Sequence, residues 1–265
     1  MLDYSRFGEN LRVSYDDHIL TVALDNPPMN CNTGAMHKAL TQIWEDVHDD
    51  DDVNVVILTG EGRAFSAGGD VKAMQFTVDN PETWWVTVSE AKRIIYRMLE
   101  CDKPIVARIN GHAVGLGATL ALACDIIVAV DTALIGDPHV NAGLVAGDGG
   151  ALLWPQAIGF PRAKEALLLG ELIPAKRAAE IGLINHAVPK DELDAKVGEI
   201  ANKLNQGAAR AIRWTKQVIN TPLRQMAHPM MDLGLATETL STFQDDHREA
   251  VKAFAEKRDP VFKRE

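Results

Sequence analysis

Apolar positions along the chain fall into short runs and helical stripes that divide it into strands and helices. Residues 11–15 and 18–24 ("LRVSY", "HILTVAL") read as paired strands around a tight Asp-Asp turn. Over 33–47 ("TGAMHKALTQIWEDV"), Met36, Leu40, Ile43 and Val47 recur on one helical face. The "HDDDD" that follows (48–52) reads as a solvated turn, because adjacent acids at a helix–strand junction repel one another and seek water. "VNVVILTG" (53–60), "PIVARI" (104–109) and "DIIVAV" (125–130) are continuous apolar runs of strand length, as in strands buried on both faces. Strands alternating with helices predict an α/β architecture with wound sheets.

From about residue 161 the pattern turns helical. "PRAKEALLLG", "PAKRAAEIG" and "KDELDAKVGEIANKLN" each end in Gly or a turn, and 207–257 read as wholly helical. The expected organisation is a core over 1–205 and a C-terminal helical region over 206–265. No low-complexity linker joins them, so the helical part is expected to pack on the core or on a neighbouring subunit.

Composition narrows the function. A length of 265 residues with 46% hydrophobic content supports a sizeable core. No run of 18 apolar residues is present, and the N-terminus lacks a basic start and an apolar signal core; neither a membrane span nor secretion is expected. Cys31, Cys101 and Cys124 have no CxxC spacing, which suggests a reducing, cytoplasmic setting and no zinc site. A net charge of −10 argues against nucleic acid as the main partner.

Two turns share one grammar: a strand, small residues, then a helix. They are "ILTGEGRAFSAGGDVKAM" (57–74) and "VARINGHAVGLGATLAL" (106–122). Glycine lets a backbone amide approach a ligand with no Cβ in the way. Helix starts also present unpaired N–H groups. Two of these converging on one point would hold an oxyanion. Neither turn is a GxGxxG opening a first βαβ unit, so a dinucleotide-binding reading fails.

"AFSAGGDVKAM", "KPIVARINGHAVGLGATLALACDIIVAVDTALIGDPHVNAGLVAGDGG", "PRAKEALLLGELIPAKRAAEIGLINHAV" and the closing "FAEKRDPVF" closely resemble the crotonase (enoyl-CoA hydratase/isomerase) superfamily, in order and over essentially the whole chain. That resemblance implies a spiral of ββα units with a C-terminal helical trimerisation region, and trimers that often pair into hexamers. It also implies an acyl-CoA substrate, coenzyme A entering as part of that substrate and not as a separate cofactor. The amides of Gly69 and Leu116 fall at the oxyanion-hole positions, and Ala67 lies beside the first of them.

The hydratases of this superfamily place two glutamates where this chain has Thr119 and His139, so the two-glutamate mechanism does not carry over. In "GDPHVNAGLVAGDGG" (136–150), His139 and Asp148 lie nine residues apart. An imidazole is a good base near neutral pH, and a carboxylate can orient it or share its proton. The pair is similar to that of a smaller branch, the 6-oxocamphor hydrolase type of β-diketone hydrolase, which cleaves carbon–carbon bonds with water. Glu238 falls where that branch has a helix-borne glutamate. A further histidine of the branch is replaced here by Leu116.

Several residues are expected to bind substrate: Ala67, Lys72, Thr119, Trp84 with its neighbour Trp85 as apolar lining, and the basic, aromatic tail with Lys257, Phe262, Lys263 and Arg264. Three readings follow. One is a hydratase-like enzyme acting on an acyl-CoA through an enolate. The second is a retro-Claisen hydrolase of a β-diketone. The third is a non-catalytic binding protein on the same scaffold.

Overall fold

The structure, a computed structural model, describes residues 2–263. Strands β1 (Leu11–Asp16) and β2 (Ile19–Leu24) form an antiparallel hairpin. Its turn is built by Asp17 and His18, both with positive φ, so the hairpin turns one residue later than the sequence suggests. Helix α1 (Gly34–Asp49) buries Met36, Leu40, Ile43 and Val47 completely. Then come β3 (Val55–Gly60), α2 (Val71–Asp79), α3 (Trp84–Glu100), β4 (Ile105–Ile109), β5 (Ala113–Val114) and α4 (Leu116–Leu122). β6 (Ile126–Val130), β7 (Leu134–Gly136), α5 (Gly150–Leu169), β8 (Leu172–Pro174), α6 (Ala175–Glu180) and β9 (His186–Val188) complete the sheets. Helices α7 (Leu193–Asn205), α8 (Ala209–Thr242) and α9 (Asp245–Glu256) follow.

The large sheet runs β1-β2-β3-β4-β6-β9, parallel after the first hairpin. Each long parallel strand feeds a short extended segment and then a helix. These second segments stack in their own layer: Asn32 bridges Gly69, Ser66 bridges Ala113, and β5 pairs with β7. The result is a spiral of ββα units, as the resemblance implies. Its consequence is local. Asn32 N–H donates to Gly68 O at 2.7 Å, Val114 N–H to Ser66 O at 2.9 Å, and Gly115 N–H to Gly136 O at 2.9 Å. Four segments, three of them opening α-helices and the fourth the 3-10 turn at 139–142, are thereby laced side by side.

The approach is close enough to demand glycine. Gly68 has φ +84°, and a Cβ there would stand 2.7 Å from Val114 O. Ser66 Oγ braces the same turn, donating to Asn30 O at 2.7 Å and accepting from Gly68 N–H at 3.2 Å.

The structure differs from the sequence reading in three further places. Asp50 of the acidic run is buried, and its carboxylate accepts from Leu2 N–H at 2.7 Å and Tyr4 O–H at 3.0 Å; only its acidic neighbours face solvent. The helix expected from 161 begins at Gly150 and kinks at Gly159 (φ +77°). The short strands β5, β7, β8 and β9 had no signal of their own.

Helix α8 packs against α3 and α5. Its Lys216 is buried, with Nζ 2.7 Å from Asp125 and donating to Lys103 O at 2.8 Å. Arg213 donates to Val53 O at 2.9 Å. These anchors fix the helix that later delivers Glu238. No helix among the described residues is long and apolar enough to cross a membrane.

Gly68→Ala is expected to destabilise the fold by at least about 1–2 kcal/mol, the cost of a side chain in left-handed backbone. Urea unfolding checks this; an unchanged midpoint would show that the two turns do not meet as described.

Candidate active site

The laced turns hold the first half of the site. Asp70 caps α2, its carboxylate accepting from Ala73 N–H at 2.9 Å, and this sets the Gly69 turn at a helix start. Leu116 is the first residue of α4, behind Gly115. Among the described residues, the N–H groups of Gly69 and Leu116 donate no hydrogen bond to the protein. Gly69 is exposed, and Leu116 buries its side chain in the core. Ala67 is half-buried, its N–H donating to Met29 O at 3.0 Å.

His139 stands directly beyond. A Cβ on Gly115 would lie 3.9 Å from His139 Cε1. The histidine opens a short 3-10 turn, His139–Ala142, after β7. Its Nδ1 donates to Asp137 Oδ1, and its Nε2 lies 3.7 Å from Asp148 Oδ2. The acid that orients the ring is therefore Asp137, two residues upstream, and Asp148 faces the opposite nitrogen. Sequence reading missed Asp137. The signal was present in "DPHV": an acid two residues before a histidine, across a proline, can reach back to Nδ1.

Thr119 is fully buried on α4, its Oγ1 3.5 Å from Asp148 Oδ1, so it packs against an acid of the site. The fourth group comes from α8. Gly234 and Gly147 meet backbone to backbone; a Cβ on Gly147 would stand 2.2 Å from Gly234 O. One helical turn on, Glu238 lies on the same face and reaches the same loop, where a Cβ on Gly147 would stand 2.9 Å from its Oε2. Glu238 is 4% exposed, and its Oε2 has no hydrogen-bond partner. Asp137 Oδ2 is likewise unpartnered and buried against Gly150, at the first turn of α5.

These four groups determine one another's charge. Burial raises the Glu238 carboxyl from its ordinary 4.5 to about 8, and the neighbouring charge of Asp148 adds to this. Burial also raises Asp148, with the charge of His139 pulling back. For His139, burial disfavours the charged ring, but Asp137 and Asp148 outweigh it and lift the imidazole well above its ordinary 6.5. Near neutral pH the pocket thus holds a charged imidazole between two carboxyls, with a protonated Glu238 beside them.

The remaining expected residues lie around this centre. Trp84 is half-buried at the start of α3, its indole N–H donating to Thr239 Oγ1 at 2.9 Å, next to Glu238 in the chain. Trp85 points to solvent, 62% exposed. Lys72 is exposed on α2. Helix α9 packs against α2 and against the 139–142 turn, which brings the tail near the first glycine turn. Lys257 is exposed just past α9, and Lys263 Nζ lies 3.8 Å from Asp245. Phe262 is 40% exposed; Arg264 lies outside the described residues. Glu249 fastens this tail, accepting from Arg258 and from Val261 N–H at 2.9 Å. Two groups of possible metal ligands occur among the described residues, His48–Cys101–Asp102 and Asp137–His139–Asp148. In the first, the Lys103 ammonium already sits 3.0 Å from Asp102; in the second, His139 Nδ1 is committed to Asp137.

The sequence profile described as enoyl-CoA hydratase/isomerase matches residues 15–265. The chain belongs to this family. A solved enoyl-CoA hydratase/isomerase from Mycobacterium paratuberculosis superposes with a TM-score of 0.88 at 35% identity, covering 92% of this chain and 97% of that one. A solved beta-diketone hydrolase from the cyanobacterium Anabaena, bound to (S)-3-oxocyclohexyl acetic acid, superposes with a TM-score of 0.84 at 31% identity, covering 92% and 98%. The 2,3-dehydroadipyl-CoA hydratase of Escherichia coli K12 is 30% identical over 259 residues, 96% of this chain and 98% of that protein. Membership makes the chain one of an enzyme family.

Glu238 gives a sign that can be checked. Its proton is held in the folded state to about 8 and released by the unfolded chain from about 4.5. Its contribution to stability is therefore full below about 4.5, declines as pH rises and is lost by about 8. Glu238→Gln, a neutral replacement, is expected to raise the urea midpoint over wild type by an amount that grows between pH about 5 and about 8. A difference that does not change with pH would show that the carboxyl is not buried in its neutral form.

Proposed function

We propose that this family member acts on an acyl-CoA, polarising its thioester carbonyl against the N–H groups of Gly69 and Leu116 and carrying the chemistry through an enolate. The observation that supports this most strongly is the pocket of His139, Asp137, Asp148 and Glu238 assembled beside the two glycine turns. Backbone amides suit the oxyanion because they are fixed before charge develops; one such donor contributes about 2.7–4 kcal/mol to transition-state stabilisation. Proton traffic falls to the side chains. Asp148, beside the charged ring of His139, takes the proton of an attacking water, and neutral Glu238 returns one to the enolate carbon. Lys72, Lys257, Phe262 and Lys263 would hold the adenine and phosphate end of coenzyme A, with Trp84 walling the acyl part. Assembly as a homotrimer, or a dimer of trimers, belongs to the same proposal.

A second reading has its own support. An imidazole with acids, in place of two glutamates, suits water attack on a ketone followed by cleavage of the adjacent carbon–carbon bond. The electron pair of that bond then becomes the enolate held by the two amides. The likeness to a beta-diketone hydrolase points the same way.

Offering crotonyl-CoA and a cyclic β-diketone to one preparation separates the two. Turnover of the thioester is expected; turnover of the diketone alone would establish the second reading instead. On whichever substrate reacts, His139→Ala and Asp148→Asn are each expected to lower kcat by about 10²-fold or more. Near-normal turnover in both variants would remove these residues from the mechanism.

A further inference from the structure

We infer that Asp137 is a positioning residue of this site: it fixes the orientation and tautomer of His139 through Nδ1, leaving Nε2 for Asp148 and for substrate. The inference deepens the reading above and rests on it only where turnover is concerned. Its basis is geometric. Asp137 is 1% exposed, and one carboxylate oxygen serves His139 twice, accepting from ring Nδ1 and, at 3.4 Å, from the backbone N–H of the same residue. A carboxylate that grips both ring and backbone of one residue removes the ring's freedom to rotate. The other oxygen, Oδ2, lies where Gly150 begins α5; a Cβ at Gly150 would come within 1.9 Å of it. The start of a helix favours negative charge, so this oxygen faces the favourable end of the α5 dipole. Proline at 138 holds the two residues in register across a turn.

The geometry divides labour between two acids that the chain brings to one ring. Asp137 holds the nitrogen facing the protein. Asp148 faces the other nitrogen, Nε2, at 3.7 Å. With Nδ1 occupied, proton exchange with a ligand can run only through Nε2 and Asp148. The other titratable groups that face this ring are Glu238 on α8 and His247 on α9, whose Nδ1 bonds Ala142 O at 2.8 Å. His37 on α1, paired with Glu90 of α3 at 2.9 Å, acts on Asp148.

The test is a pH titration of the 15N-histidine-labelled enzyme by NMR, without substrate, with His139→Gln to assign the signal. Wild type is expected to keep the proton on Nδ1 as the pH rises through the ordinary histidine value, with no titration near it. In Asp137→Asn the ring is expected to titrate back toward that value. On the true substrate, kcat is expected to fall by about 10²–10⁴-fold with KM little changed. Should Asp137→Asn fail to fold, the wild-type spectrum decides alone. A neutral ring carrying its proton on Nε2, or an Asp137→Asn ring that titrates like wild type, overturns the inference whatever the activity. The expected spectra with no turnover of either substrate class would uphold the role of Asp137 and sink the proposed reaction.

Discussion

Burial of Asp137, Asp148 and Glu238 around a single imidazole forces four titratable groups to share protons. Three carboxylates cannot all stay ionised in one dry pocket, because each raises the cost of charging the next. Glu238 is lifted far enough to keep its proton to about 8, by burial first and then by the charge of Asp148, while Asp137 bonds one nitrogen of the ring and Asp148 faces the other. A group that keeps its proton at neutral pH is a ready acid, and a carboxylate beside a charged imidazole is a ready acceptor.

That position is a product of the spiral. Each ββα unit ends its second segment at a helix start, and stacking those segments in a layer sets successive starts side by side. Gly68 against Val114, and Gly115 bonded to Gly136, set the turns of the two oxyanion candidates and the segment leading to His139 side by side. Helix α8 adds the last acid through a glycine-to-glycine contact at Gly147 and Gly234, with Lys216 and Arg213 anchoring the far end. The scaffold thus accepts unfavourable burial of charge because its backbone contacts are made elsewhere.

Much of this was legible in the chain, for physical reasons that differ by element. Val55–Gly60 and Ile126–Val130 announce themselves because strands covered on both faces need continuous apolar runs, and α1 does so through its buried stripe. The glycine turns were readable because no other residue tolerates the approach. The two- and three-residue strands β5, β7, β8 and β9 are too short for any periodicity to emerge, and only the stacking of units creates them. Asp50 looked solvated because its partners, Leu2 and Tyr4, lie almost fifty residues away in sequence. Trp85 looked like lining because composition cannot tell which of two adjacent tryptophans faces inward. His139, Asp148 and Glu238 were found through resemblance to a family branch; Asp137 escaped because that comparison directs attention to the acid nine residues downstream.

The central claim is that the pocket carries a neutral carboxyl at physiological pH because a buried cluster cannot hold every charge. The infrared difference spectrum of wild type against Glu238→Gln, recorded from pH about 6 to about 9, tests it most directly. The account predicts a protonated-carboxyl C=O band that belongs to Glu238, present at pH 7 and lost with a midpoint near 8. An ionised Glu238 already at pH 6, with no such band, would contradict it.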